Sequence, residues 1–409
     1  MINKINIINF LIILTVFFIS ANMAWLNPRP EFDVYRTIEY FPIFWQYNVD
    51  SPTELLSAAF FPEYFKENTI RISRPGYPAL VNFITNIMYF FLSPFFKFNY
   101  LYYAGAGYLI LKFIVYYMAI TLQTNVLLKF FSLKNSIFIN ILIFFHYHSI
   151  FYATTFHTSE LSFIIPIIFI ALYLNLIKKY SILKNILYSL LVGILILCKP
   201  NYACYLSILV FSFLNKYFVE SIISFFIHLI PIFLYLLYLN YIQIQFYHFG
   251  IQGAGFLGWI LEAAKLGYLN LTYEILFSFV KFTKNLIEYF HIFLFLFFIG
   301  IFNLVKINRN NDKIIYFLLI FIFFTWLQIF VTNRWGGYMV ADLTLPMIAI
   351  SIFYLLSKID LFHNSKILNI IAFIYLIINI GSFINLPLTN PYNQNFQKYD
   401  FNETKNYLN

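Results

Sequence analysis

The stretch Pro28-Arg-Pro-Glu-Phe-Asp-Val-Tyr-Arg-Thr-Ile-Glu-Tyr40, continued at its far end by Arg71-Ile-Ser-Arg-Pro-Gly-Tyr-Pro-Ala-Leu80, is the longest run of the chain too polar to read as membrane-embedded. Apolar runs flank it, Ile5–Trp25 before and Tyr77–Phe96 after. Each is about twenty residues long, enough to cross a hydrocarbon core of ~30 Å. The stretch therefore reads as a long loop, residues 26–77, slung between two membrane helices.

The same alternation continues to the far end. Further apolar runs fall at Leu101–Leu122, Ser136–Tyr152, Leu161–Ile177, Ile182–Cys198, Ala203–Phe218, Ile222–Tyr241, Leu286–Val305, Ile314–Val331, Met339–Leu356 and Ile367–Ile384. The expected fold is all-α, a polytopic bundle of about 11–13 transmembrane helices in a single integral membrane domain over residues 1–409. Composition points the same way. Of 409 residues, 61% are hydrophobic and 11% charged, whereas a water-facing globular surface needs about 25% charged residues. The first run reads as an uncleaved signal-anchor, because Ser20-Ala-Asn-Met-Ala24 is a poor small-x-small cleavage site.

The net charge of +9 comes from bases scattered singly through short loops, a pattern of cytoplasmic loops rather than of a nucleic-acid surface. Lys129–Lys134, Lys178–Lys184, Lys216, Lys306–Lys313 and Lys358–Lys366 are expected inside. The second large loop, residues 243–275, and the tail, residues 385–409, then face outward. The loop's glycines at 250, 253, 255 and 258 read as a turn into an amphipathic helix on the membrane surface. The chain is expected in a bacterial cytoplasmic membrane. One conflict stands at the front. With Lys4 inside, Lys129, two spans after the loop, would fall outside. An extra crossing within Leu101–Phe131, or a flipped N-terminus, would restore the alternation.

The outward loops collect the candidate site residues: Asp33, Glu39, Arg71, Arg74, His157, Glu160, Lys199 and Arg334. Ionisable groups beside apolar spans are costly to desolvate and mark functional sites. Asp33 is placed to act as a general base on an acceptor hydroxyl; its plain alternative is a helix cap. Glu39 would bind acceptor or metal, or be a surface acid. Arg71 and Arg74 suit a lipid phosphate by charge-assisted hydrogen bonds, or else anchor to headgroups. His157 and Glu160 open a span, where capping explains the acid but not the histidine. Lys199 is a lone outer cation, and Arg334 faces Asp342 across two turns. His146 and His148 read as interfacial. Cys198 and Cys204 read as small buried residues.

The front of the chain resembles the GT-C superfamily of integral membrane glycosyltransferases, in an early loop acid (Glu31-Phe-Asp-Val-Tyr35) and an Arg-x-x-Arg-Pro-Gly-Tyr-Pro-x-Leu run opening the second helix (Arg71–Leu80). The resemblance implies a polyprenyl-phosphate-linked sugar as donor and a glycan, lipid or protein acceptor. It implies Asp33 as base, with a divalent cation, Mg2+ or Mn2+, as cofactor. It places Arg74, Lys199 or Arg334 on the lipid phosphate, beside Tyr77 at the head of the second helix. Two other readings stay open: a polymerase of undecaprenyl-pyrophosphate-linked units, and a non-catalytic flippase or transporter of lipid-linked sugars.

Overall fold

A computed structural model describes residues 2–26, 51–63, 75–98, 100–154, 161–178, 181–199, 218–244, 258–307, 313–331 and 344–356, with 370, 373–374 and 376–377. These residues form helices and no strand. In hydrocarbon every backbone polar group must find its partner within the segment, and an unbroken apolar run satisfies that as a helix. The helices are α1 (Ile2–Leu26), α2 (Ser51–Ala59), α3 (Gly76–Leu92), α4 (Tyr100–Leu127), α5 (Leu133–Phe144), α6 (Tyr147–Ala153) and α7 (Leu161–Lys178). They continue as α8 (Ile182–Cys198), α9 (Phe218–Tyr241), α10 (Trp259–Lys265), α11 (Tyr268–Phe290), α12 (Ile292–Ile307), α13 (Lys313–Val331) and α14 (Leu345–Leu356).

Among the described residues, four helices are long and apolar enough to cross a membrane: Lys4–Ala21, Tyr100–Leu127, Phe218–Tyr241 and Ile314–Val331. Five shorter apolar helices of 10–17 residues stand beside them, including Gly76–Leu92 and Ile182–Cys198. The chain has the make-up of a multi-pass membrane protein. The expected spans at 203–218 and 367–384 lie wholly or largely outside the described residues.

The register of the first helices removes the conflict in the lysine pattern. Asn9 bonds to Thr124, and Phe17 meets Phe113 and Tyr116, so α1 and α4 run antiparallel. Gly107 lies against Val81 and Thr85, and Tyr89 meets Tyr103, so α3 and α4 are antiparallel too. Hence α1 and α3 run the same way. Lys4 and Lys129 fall at one end of the bundle, and the α3–α4 turn falls at the other. Neither repair offered by the sequence is needed, and α4 is one continuous helix of 28 residues with no extra crossing inside it.

The loop of residues 26–77 accordingly does more than join two helix ends at one surface. Leu26 and Gly76 lie at different levels of the bundle. Within the loop α2 packs on α3 and α4: Leu55, Ala58 and Ala59 are buried in the core, and Asn82 Nδ2 donates to the carbonyls of Ala58 and Ala59 at 2.9 and 3.1 Å. The reading of this stretch as a purely polar outer loop is corrected. Its small-residue helix is apolar on one side, which the surrounding charges mask in the sequence.

Two further boundaries differ. The run Ser136–Tyr152 breaks after Phe144, where His146 turns the chain and caps α6 by accepting from His148 N at 3.1 Å. The second loop ends earlier than expected, because helix resumes at Trp259 and again at Tyr268. Elsewhere close backbone approach sets the packing. Gly193 of α8 sits where a Cβ would stand 2.6 Å from the carbonyl oxygen of His228 on α9. The buried apolar residues from α1 to α14 form one cluster.

Candidate functional site

Two of the nominated site residues lie in the described part, and the fold brings their neighbourhoods together. Tyr77 stands in the first turn of α3 and is buried. Pro75 and Pro78 flank it, and proline suits a first turn because its missing N–H has no intrahelical partner to lose. The first helical bond runs from Ala79 N to the Pro75 carbonyl at 3.1 Å. Gly76 allows the junction to close: a Cβ there would stand 2.6 Å from Cys198 Sγ and 3.3 Å from Cys198 N. Lys199 follows at the C-cap of α8, in extended conformation, with its N–H bonded to the Leu195 carbonyl. Its ammonium is only 8% exposed, and a cation there meets the negative end of the helix dipole. The start of α3 and the end of α8 thus share one corner of the bundle.

Deeper along α4 lies a layer of buried polar side chains. The Tyr77 ring is 5.1 Å from that of Tyr108. One turn on, Lys112 is fully buried; its Nζ donates to the Tyr152 carbonyl at 2.8 Å and lies 5.9 Å from the Tyr108 ring. Another turn on, Tyr116 donates to the Ser149 carbonyl at 2.8 Å. The His148 ring is 5.0 Å from that of Tyr152, and His146 Nε2 pairs with the Tyr289 carbonyl at 3.1 Å. Glu54, in the first turn of α2, is buried as well. A charge in so apolar a setting is expensive and is retained where it has a task or a well-matched partner.

Of these groups the sequence showed only Lys112, as a solitary cation in mid-span. His146 and His148 were expected at the interface, and both are buried inside the bundle. The break between α5 and α6 folds that segment inward, which an uninterrupted hydropathy reading misses. Glu54 was lost among the other acids of the loop. Asp33, Glu39, Arg71, Arg74, His157, Glu160 and Arg334 lie outside the described residues, as does Asp342.

Chemically, the described corner offers two buried ammonium groups, a buried carboxyl group and tyrosine rings, set in apolar walls that strengthen any electrostatic contact made there. Among the described residues no group of three His, Cys, Asp or Glu side chains is placed to hold a metal ion. Compared with models of known families, with curated proteins and with solved structures, the chain matches none.

Proposed function

We propose that the chain is a membrane glycosyltransferase that moves a sugar from a polyprenyl-phosphate donor to a glycan, lipid or protein acceptor at the outer face. The observation that carries the reading is the corner where Gly76 meets Cys198. It puts Tyr77 and Lys199 beside each other, with Arg74 two residues before the junction in sequence. A basic, half-apolar corner suits a lipid-linked phosphate, and the tyrosine ring suits the sugar or prenyl chain beside it.

In this reading Asp33 takes the proton of the acceptor hydroxyl as its oxygen bonds to the anomeric carbon. The bond from that carbon to the phosphate oxygen breaks. Polyprenyl phosphate leaves with the electron pair, its charge held by Lys199, Arg74 and Arg334. Arg71, His157 and Glu160 bind the rest of the donor and acceptor. Asp33 and Glu39 are the carboxylates that would hold Mg2+ or Mn2+, which would supply charge neutralisation.

A flippase of lipid-linked sugars is the second reading, favoured by the burial of Glu54 and Lys112 inside the bundle. The polymerase reading leaned on the loop at 243–275, and part of that span is helical.

The deciding experiment incubates purified protein with short-chain polyprenyl-phosphate sugars and measures free polyprenyl phosphate for wild type, Asp33→Asn and Lys199→Met. Release by the wild type that collapses in folded Asp33→Asn and falls in Lys199→Met supports the transferase. Equal release by all three removes both residues from the mechanism. Turnover of pyrophosphate-linked oligosaccharides alone would establish the polymerase. Transbilayer movement of donor without cleavage would establish the flippase.

A further inference from the structure

We infer that α11 lies flat in the membrane surface at the outer face, a lipid-embedded arm extending from the bundle, and not a span. Three observations carry this. The first is direction: the axis of Tyr268–Phe290 bends by 104° into that of Phe293–Phe302. α12 is apolar until Lys306, at the start of the basic 306–313 loop, so it reads as crossing toward the inside. A helix nearly perpendicular to it runs along the bilayer, and it leaves from the outer end.

The second is burial. The C-terminal half of α11 is anchored. Ser278, Phe282, Leu286 and Phe290, four residues apart, are its buried positions, and Phe282 packs on Trp326 and Phe330. Tyr289 accepts from or donates through His146 at its carbonyl end of the helix only as an acceptor, at 3.1 Å. The N-terminal half leaves the bundle: Leu269 is 87% exposed, and Tyr273, Leu276 and Val280 are also open.

The third is the division of the surface. Leu269, Tyr273, Leu276, Val280 and Ile287 share one exposed stripe at helical spacing. Asn270, Glu274, Lys281 and Glu288 share the adjoining stripe, where Lys281 lies 4.1 Å over the Phe277 ring and Lys284 pairs with Glu288 at 3.6 Å. A spanning orientation would draw these charges through hydrocarbon at about 2.5–3.5 kcal/mol each near its centre. Lying flat costs none of that. The apolar stripe sinks about 5–10 Å into the boundary between headgroups and acyl chains while the charges stay wet. The sequence placed a surface helix in this region but centred it on the short α10.

Spin labels test this in vesicles of phosphatidylethanolamine and phosphatidylglycerol. Single cysteines replace Leu269, Leu276, Val280 and Lys281 in a chain with Cys198→Ala and Cys204→Ala, and collisions with oxygen and with a water-soluble nickel chelate give each depth. Labels at 269, 276 and 280 are expected to favour oxygen at depths within about 5 Å of one another, one helical turn, while the label at 281 favours nickel. A depth that changes by ~16 Å over the eleven residues from 269 to 280, at 1.5 Å per residue, would make α11 a span and overturn the inference. Apolar-stripe labels shielded from oxygen, with dipolar broadening between labelled copies, would overturn it in favour of a second copy of the chain.

Discussion

The ammonium of Lys112 donates to the backbone carbonyl of Tyr152 at 2.8 Å, joining α4 to α6 where neither residue is open to solvent. Two opposing magnitudes decide what its removal does. Loss of the donor leaves that carbonyl short of a partner, at about 1–3 kcal/mol. Loss of the charge relieves a burial cost of about 2.5–3.5 kcal/mol. Lys112→Met is therefore expected to unfold within a few degrees of the wild type in detergent. Its transfer activity is expected to fall on the order of 10- to 100-fold, since a hydrogen bond to a charged group is worth about 1.5–3 kcal/mol. Thermal scans and polyprenyl phosphate release check the two halves separately. Unchanged activity in a stable variant would reduce Lys112 to a helix tie.

Glycine at the α8–α9 contact makes a sharper stability prediction. The Cβ of Gly193→Ala would meet backbone oxygen at 2.6 Å and the Pro231 ring at 2.9 Å, neither of which can swing aside as a flexible side chain can. The helices must separate, at about 1–3 kcal/mol for overpacking. Gly193→Ala should unfold several degrees below the wild type. An unchanged midpoint would show that the two helices slide without cost.

A polar tie in the same bundle predicts an order of variants. Thr124 Oγ1 accepts from Asn9 Nδ2 at 3.1 Å and Asn140 Nδ2 at 2.7 Å, and Gln123 Nε2 donates to Asn140 Oδ1 at 2.8 Å. One hydroxyl thus holds α1, α4 and α5 together. Thr124→Ser keeps that oxygen, while Thr124→Val keeps the shape and leaves two buried amide groups short of an acceptor. Thr124→Val should lose about 1–2 kcal/mol relative to Thr124→Ser, the range seen for polar ties between membrane helices. Detergent unfolding that ranks serine at or below valine would make shape, not the hydroxyl, the source of the tie.

Helix existence was legible because apolar runs have few structural options in a bilayer, and Ile182–Cys198 was bounded to the residue. Helix direction was not. Hydropathy carries no sign, and the parallel course of α1 and α3 depends on contacts such as Asn9–Thr124 and Thr85–Gly107. The site was legible where a lone charge interrupts an apolar setting, as at Lys112 and Lys199. It was illegible at Glu54, one acid among several, and at His148, which a break in the helix turns inward. The meeting of Tyr77 with Lys199 rests on Gly76, whose missing side chain gives no signal of what it approaches.

The parallel course of α1 and α3 makes the last prediction, on sidedness. Since α4 runs opposite to both, the residues before α1 and those after α4 share one end of the bundle, while the α3–α4 turn occupies the other. Lys97 lies in that turn and is exposed; Lys134 opens α5 and is exposed as well. The positive-inside rule puts the basic 129–134 segment in the cytoplasm. A Lys97→Cys variant should then react with a membrane-impermeant maleimide added to intact cells exposing the outer face of the membrane. A Lys134→Cys variant should react only after permeabilisation, both in the Cys198→Ala, Cys204→Ala background. Had α3 crossed back from an outer loop, as consecutive spans usually do, Lys97 would be inside and both positions would be protected together. Labelling of Lys134 from outside with Lys97 protected would keep the antiparallel register but invert the whole bundle. Only protection of both, or labelling of both, would break the register itself.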